Sequence, residues 1–290
     1  MKGQGQALSH GAVTILNAFA TGKGGALGID LWTRARVTLK DGHGEISGFV
    51  SSDPDETGKF AVSVVQKVLE HKDLQGKLSG EVLTWSNIPI AVGLKSSSAA
   101  ANAIAAATAS ALGEKFDDDT LVNLGVEAST ESGVSMTGAY DDSFASYHGG
   151  AVLTDNPHRK VEMRLKIPEG LRILALVPPR KTRTSTLDRS QFSSIRRISE
   201  LAYNEARDGR VWDAITLNGL AYSSVLGEDP RPALIAIEAG ALGAGLSGKG
   251  PAIVAIAEED KASRVYEALQ KFEGRIIEAL PNKNRAEVEI

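Results

Sequence analysis

The stretch from Pro89 to Leu112 constrains this chain most. It reads Pro-Ile-Ala-Val-Gly-Leu-Lys-Ser-Ser-Ser-Ala and continues as a run dominated by alanine. Gly93 permits a turn that a residue with a Cβ resists. Ser96, Ser97 and Ser98 stand where a helix would begin, and their hydroxyls suit the unpaired N–H groups of a first turn. Ala99 to Leu112 has small side chains and high helix propensity. A glycine-containing loop that delivers free N–H groups and hydroxyls to a helix N-terminus is a ready site for phosphate. The same residues also fit an ordinary capped, alanine-rich core helix.

Composition narrows the function classes. A chain of 290 residues is long enough for two modest domains or one large one. Its 32 basic and 36 acidic side chains leave a net charge of −4, which gives no sign of a nucleic-acid surface. There is no cysteine, so disulfides, thiolate metal sites and cysteine nucleophiles are excluded. No apolar run approaches the roughly 20 residues that span a bilayer. The first ten residues lack the apolar segment of a secretory signal. The expectation is a cytoplasmic protein that binds neither membrane nor nucleic acid.

Periodicity predicts alternating strands and helices. Ala12 to Ala18 and Leu27 to Leu39 read as strands around a Thr21-Gly22-Lys23-Gly24-Gly25 turn. Lys59 to Glu70 reads as an amphipathic helix, and Val82 to Trp85 as a strand leading into the central stretch. Asp117 is a plausible N-cap for a helix to about Glu131. Strands follow at Ala151–Thr154, Val161–Leu165 and Ile173–Val177. Helices follow near Asp188, over Ser193–Arg207, Val211–Leu226 and Asp260–Phe272. Ala252–Ala257 and two short terminal segments read as further strands. Asn156-Pro157-His158 is a turn that suits a domain boundary, dividing the chain into 1–157 and 158–290.

Three other stretches carry chemistry. In Gly133 to Gly150, Asp141 and Asp142 are adjacent acids among small and apolar residues. On an extended chain adjacent side chains face opposite ways, so the two need not act together, and each also suits a turn or cap. Arg180, Lys181 and Arg183 set three cations within four positions beside hydroxyls, a pattern suited to a carboxylate or phosphate and equally to a solvated face. Gly243-x-x-x-x-Gly248-Lys249 nearly matches a P-loop. The next residue is Gly250 rather than Ser or Thr, and the segment follows helix-like residues and opens a strand, so a P-loop fold is rejected.

Pro89-x-x-x-Gly93-Leu94-x-Ser96-Ser97-Ser98-Ala99 resembles the phosphate-binding motif of the GHMP kinases (galactokinase, homoserine kinase, mevalonate kinase and relatives), usually Pro-x-x-x-Gly-Leu-Gly-Ser-Ser-Ala. Lys95 replaces the third-position glycine, and Gly-Leu-Lys-Ser-Ser-Ser-Ala is similar to the archaeal-type shikimate kinase branch. Gly240 to Ile256 resembles the family's C-terminal glycine-rich motif, with Gly248 near the substrate. The N-terminal motif matches loosely, with Asn17-Ala18-Phe19 where a Gly-Glu-His-type core is usual. The resemblance implies an α+β fold of two domains: a ribosomal protein S5 domain 2-like N-terminal domain and a ferredoxin-like C-terminal domain. ATP and substrate would bind between them. Pro89, Ile90, Ala91, Val92, Gly93, Leu94, Lys95, Ser96, Ser97, Ser98 and Ala99 would bind the ATP phosphates, and Lys95 would add charge there.

Counting back from Gly149-Gly150, the resemblance places the catalytic aspartate at Asp142, and a one-residue shift gives Asp141. Ser97 and a glutamate would hold Mg²⁺, either Glu127, which is preferred, or Glu131. The branch implies phosphorylation of the 3-hydroxyl of shikimate. Asn17, Lys23, Arg180, Arg183 and Gly248 are the candidate substrate contacts, and Lys23 equally suits a solvated loop. Homoserine is the runner-up acceptor. A non-catalytic nucleotide-binding regulator on the same fold is the alternative from another class.

Overall fold

The computed structural model describes residues 2–182 and 189–289. Two β-strands open the chain, β1 (Lys2–Leu16) and β2 (Lys23–Asp41), and they form one long antiparallel pair. β3 (Ile46–Val50), α1 (Lys59–His71) and β4 (Leu78–Ser86) follow, with β3 parallel to β4 and β4 antiparallel to β2. Next come α2 (Ser96–Leu112), α3 (Asp118–Glu131), α4 (Tyr140–His148) and the hairpin β5 (Ala151–Asp155)–β6 (Lys160–Leu165). The second half holds β7 (Leu171–Val177), a 3-10 turn (Arg189–Ile195), α5 (Arg196–Arg207), α6 (Val211–Leu226), α7 (Arg231–Glu238), β8 (Gly243–Leu246), β9 (Ile253–Glu258), α8 (Glu259–Leu269) and β10 (Arg275–Ala279). β11 (Glu287–Glu289) ends the described chain.

These strands make two sheets. The first has seven, in the order β11-β1-β2-β4-β3, with β5 on β2 and β6 on β5. The second has four, all antiparallel, in the order β10-β7-β9-β8. The division expected at 157 falls inside the β5–β6 hairpin of the first sheet, which runs on to Leu165. The C-terminal residues also return to that sheet, where β11 pairs with β1. Among the described residues no helix is long and apolar enough to cross a membrane.

α2 is the spine of the first half. Alanine all round lets it be buried on nearly every side, which bulkier side chains would prevent. Its carbonyls approach β1 so closely that a Cβ on Gly3 or Gly5 would lie 1.9 Å from the Ala111 oxygen or 2.2 Å from the Ala107 oxygen. α1, α3 and α4 pack against its other faces. One apolar cluster joins Val13, Ile15 and Leu27 of the first sheet to Ile173, Val254 and Ile256 of the second. Leu94, fully buried, belongs to it. Leu94→Ala would remove about 2–5 kcal/mol of stability from this junction. The shared core fixes the loop before α2 against the second sheet.

Two expectations differ in detail. β8 is a strand where glycine spacing reads as loop, because α6 lies directly on it: a Cβ on Gly219 would meet the Gly245 Cα at 2.3 Å. Tyr140 to His148 is a helix where the sequence suggests extended chain. The helix expected near Asp188 begins outside the described residues.

Candidate active site

A cleft of about 700 Å³ opens at the N-terminus of α2. Such a volume suits a nucleotide together with a small acceptor. One wall is the loop Ile90, Ala91, Gly93, Lys95 with Ser96 and Ser97. Facing it are Asn17, Gly248 and Lys249, and between them stand Asp141 and Asp142. Val50, Phe60, Ala61, Ala100 and Ile104 add apolar lining.

The helix start is shaped for an anion. Lys95, in the left-handed region at φ 61°, occupies the cap position, and α2 has no side-chain cap bond. The serines therefore lie inside the first turn rather than capping it, so the first N–H groups remain for a ligand. Ser98 is turned inward and buried, whereas Ser96 and Ser97 face the cleft. Val92, Leu94 and Ala99 are buried in the core behind the loop, and neither they nor Pro89 line the cleft.

The C-terminal glycine-rich loop grips this loop. Ser247 Oγ donates to the Gly93 carbonyl at 2.8 Å, and Ala252 N donates to the Val92 carbonyl at 3.0 Å. A Cβ on Gly93 would fall 2.1 Å from the Ser247 carbonyl oxygen. Gly248 N donates to Thr14 Oγ1 at 2.8 Å, and Asn17 Nδ2 donates to the Gly248 carbonyl at 2.9 Å. α6 holds Asn17 in turn: Asn218 Oδ1 accepts from its N–H, and the Tyr222 hydroxyl donates to its carbonyl. Asn17 and Gly248 thus meet although 231 residues apart in sequence.

The two aspartates have separate environments. Both lie in the first turn of α4, where the helix dipole favours negative charge. Asn102 of α2 donates to the Ser143 carbonyl at 2.9 Å and sets α4 against α2. Asp142 Oδ1 lies 3.0 Å from Lys95 Nζ, an ion pair without hydrogen-bond alignment, with the side chains only 13% and 8% exposed. Asp141 faces β2, where a Cβ on Gly24 would lie 2.5 Å from its Oδ2. It accepts from Asn156 Nδ2 at 2.8 Å, and its N–H donates to Asn156 Oδ1, which also accepts from Thr154 Oγ1. Burial first, and the charge of Asp142 second, push the Asp141 carboxyl up to about 7. Asp142 is therefore the carboxylate beside a cation, and Asp141 the acid that burial inclines to keep its proton.

The chain matches the family described as GHMP kinases N terminal domain over residues 59–150 and GHMP kinases C terminal over residues 213–274. It is 39% identical to the shikimate kinase of Methanothermobacter thermautotrophicus, over 93% of this chain and 92% of that protein. It is 41% identical to the shikimate kinase of Pyrococcus furiosus, over 96% and 98%. The chain belongs to the GHMP kinase family. Two solved structures share its fold. A homoserine kinase from Cytophaga hutchinsonii aligns with TM-score 0.75 at 18% identity over 100% of this chain and 98% of that one. Mevalonate diphosphate decarboxylase from Staphylococcus aureus aligns with TM-score 0.76 at 17% identity over 100% and 99%. The two-domain α+β fold expected from the resemblance is the fold of this GHMP kinase, and the family implies use of ATP.

Not every expected site residue of this GHMP kinase is in the cleft. Lys23 is outside it: its ammonium pairs with Asp155 at 2.8 Å and Glu162 at 2.6 Å, which raises its pKa further and lowers that of Asp155 to about 2. Arg180 pairs with Glu228 across the surface and lines no part of the cleft. Lys181 pairs with Asp53. Arg183 lies outside the described residues. Glu127 is held by Arg159 at 2.8 Å and Glu131 by Lys67 at 2.7 Å, and neither lines the cleft. Local sequence did not disclose Thr14, Asn156 or Asn218, and Lys249 stood out only in the near match to a P-loop.

Proposed function

We propose that this GHMP kinase transfers the γ-phosphate of ATP to the 3-hydroxyl of shikimate. The observation that carries the acceptor is identity near 40% to proteins named shikimate kinase along more than nine-tenths of the chain. The apolar lining of the cleft suits the base, and the first turn of α2 with Gly93, Ser96 and Ser97 suits the phosphates. The acceptor then lies among Asn17, Gly248 and Asp142.

Asp142 accepts the proton of the attacking hydroxyl. As the hydroxyl oxygen bonds to the γ-phosphorus, the bond from phosphorus to the bridging oxygen breaks and ADP leaves. Such a transfer rests mainly on positioning and electrostatics. Lys95 pairs with Asp142 and orients it while its charge lies beside the phosphate-binding turn. Asp141, locked to Asn156, fixes the start of α4.

Magnesium fits the oxygen donors that line the cleft. Among the described residues there is no cluster of three acids or histidines, and a magnesium ion bound with ATP takes most of its oxygens from phosphate and water. Ser97 is the hydroxyl that would hold it, and Glu127 would join only after leaving Arg159. When bound, the ion neutralises phosphate charge.

The test is ADP release with Mg-ATP and shikimate, homoserine, mevalonate or galactose, against a control without acceptor. Release with shikimate alone supports the reading. Release with homoserine instead keeps the kinase and replaces the acceptor. ATP binding without release for any acceptor favours a nucleotide-binding regulator.

A further inference from the structure

Part of the cleft wall is the short turn between β1 and β2, and that turn is held from the other half of the chain. Asn17, Ala18 and Phe19 line the cleft. Asn17 is only 5% exposed, so its backbone groups need partners inside the protein. Both partners are side chains of α6. Asn218 Oδ1 accepts from the Asn17 N–H at 2.8 Å, and the Tyr222 hydroxyl donates to the Asn17 carbonyl at 3.1 Å. The same hydroxyl accepts from the Ala20 N–H at 3.0 Å. Asn218 and Tyr222 are four residues apart and so share one face of α6. Phe19 stacks on Phe192 with ring centroids 5.0 Å apart, and the Tyr222 ring lies against both.

The same helix also sets Gly248. A Cβ on Gly245 would lie 2.7 Å from the Gly219 Cα, so α6 and β8 meet backbone to backbone. β8 ends at Leu246, and Ser247 and Gly248 follow it directly. Asn17 Nδ2 donates to the Gly248 carbonyl at 2.9 Å. These contacts close a ring that runs from α6 to β8, from β8 to Gly248, from Gly248 to Asn17, and from Asn17 back to α6. Tyr222 is fully buried and Asn218 is 1% exposed, and neither lines the cleft. Whatever they do for a ligand, they do through Asn17.

We propose that Asn218 and Tyr222 are positioning residues for the acceptor, acting through Asn17. The proposal rests on the reading that the acceptor lies among Asn17, Gly248 and Asp142. A residue held at both its N–H and its carbonyl keeps its side chain aimed one way, so the Asn17 amide and Gly248 present one fixed surface. Transfer depends on holding the attacking hydroxyl in line with the phosphorus, and a loosened surface costs acceptor binding first. The loop before α2 is held by other bonds, from Ser247 Oγ to the Gly93 carbonyl and from Ala252 N to the Val92 carbonyl. The Tyr222 hydroxyl takes part in neither, so ATP binding does not follow it.

The test measures the KM for shikimate and for ATP in the wild type, Tyr222→Phe, Asn17→Ala and the double variant. Tyr222→Phe keeps the ring and its contacts with Phe19 and Phe192 and removes only the hydroxyl. It should raise the shikimate KM about 3–10-fold, the scale of a neutral hydrogen bond, and leave the ATP KM unchanged. Asn17→Ala should raise the shikimate KM as well, and adding Tyr222→Phe to it should raise it no further. An unaltered shikimate KM in Tyr222→Phe, an equal rise in both constants, or the same added factor in the Asn17→Ala background would each overturn the proposal. If Tyr222→Phe does not fold, Asn218→Ala is put through the same comparison, with the same pattern expected and the same three results overturning it. A wild type that phosphorylates another alcohol instead fails at the identity of the acceptor, and the same variants assayed with that alcohol then decide the positioning role by itself. A wild type that turns over no acceptor removes both.

Discussion

Lys95 Nζ lies 3.0 Å from Asp142 Oδ1 at a position where the family motif usually has glycine. Lys95 caps α2 and Asp142 lies in the first turn of α4, so the pair joins two helix starts that both face the cleft. The cation ties the start of α2 to the carboxylate proposed to accept the proton. Asp142→Asn should lower kcat by roughly 10²–10⁴ with ATP binding kept, the range for loss of a positioned base. Lys95→Gly should also lower kcat, and the double variant should lose much less than the product of the two single losses. Multiplicative losses, measured by steady-state kinetics, would show that the pair does not act as a unit.

Asp141 gives a pH prediction. Its carboxyl titrates near 7 in the folded protein and near the ordinary 3.8 when unfolded. Between those values the folded state holds more protons, so this group's contribution to stability is full at low pH and is lost as pH rises through 7. Asp141→Asn removes the dependence and keeps an acceptor for Asn156. The melting temperature of the variant relative to wild type should rise from pH 4 to pH 7 and level off above. Parallel curves would contradict the burial argument.

Gly93→Ala tests the grip between the two glycine-rich loops. Gly93 has φ 98°, and a Cβ would fall 2.1 Å from the Ser247 oxygen. The backbone strain alone costs roughly 1–3 kcal/mol. The variant should melt lower and bind ATP more weakly in a calorimetric titration. Ordinary ATP affinity would show that the contact is dispensable.

Metal dependence separates two side chains. Ser97 faces the cleft, whereas Glu127 is held by Arg159. Ser97→Ala should raise the magnesium concentration needed for half-maximal rate, and Glu127→Gln should leave it near the wild-type value. The reverse order would place the ion on α3.

Lys23 supports structure in this account. Its ammonium joins Asp155 of β5 and Glu162 of β6, and Glu162 also accepts from the Tyr203 hydroxyl of α5. Lys23→Met should lower the melting temperature and leave both Michaelis constants unchanged. A raised acceptor KM would return Lys23 to the substrate.

What the sequence disclosed follows from distance along the chain. The Pro89–Ala99 loop and the helix after it are written in consecutive residues, so the loop, its helix and the family resemblance were legible. Val211–Leu226 matches its helix to the residue. The boundary at 157 was obscured because the Asn156-Pro157 turn, a good local stop, is a hairpin turn within one sheet. The cations near the substrate were misplaced for a similar reason. A lysine at a glycine turn and an arginine after a strand read as binding residues, and only the fold shows that Asp155 with Glu162, and Glu228, take them. The choice between Asp141 and Asp142 depends on Gly24, Asn156 and Lys95, which lie on three other segments.

Phosphorus and proton NMR of the product formed from ATP and shikimate tests the central claim most directly. The account predicts one phosphorylated product, with phosphorus coupled to the proton on carbon 3, formed in equal amount with ADP and at least 10²-fold more slowly by Asp142→Asn. ADP without phosphorylated shikimate, or phosphate on another hydroxyl, would contradict it.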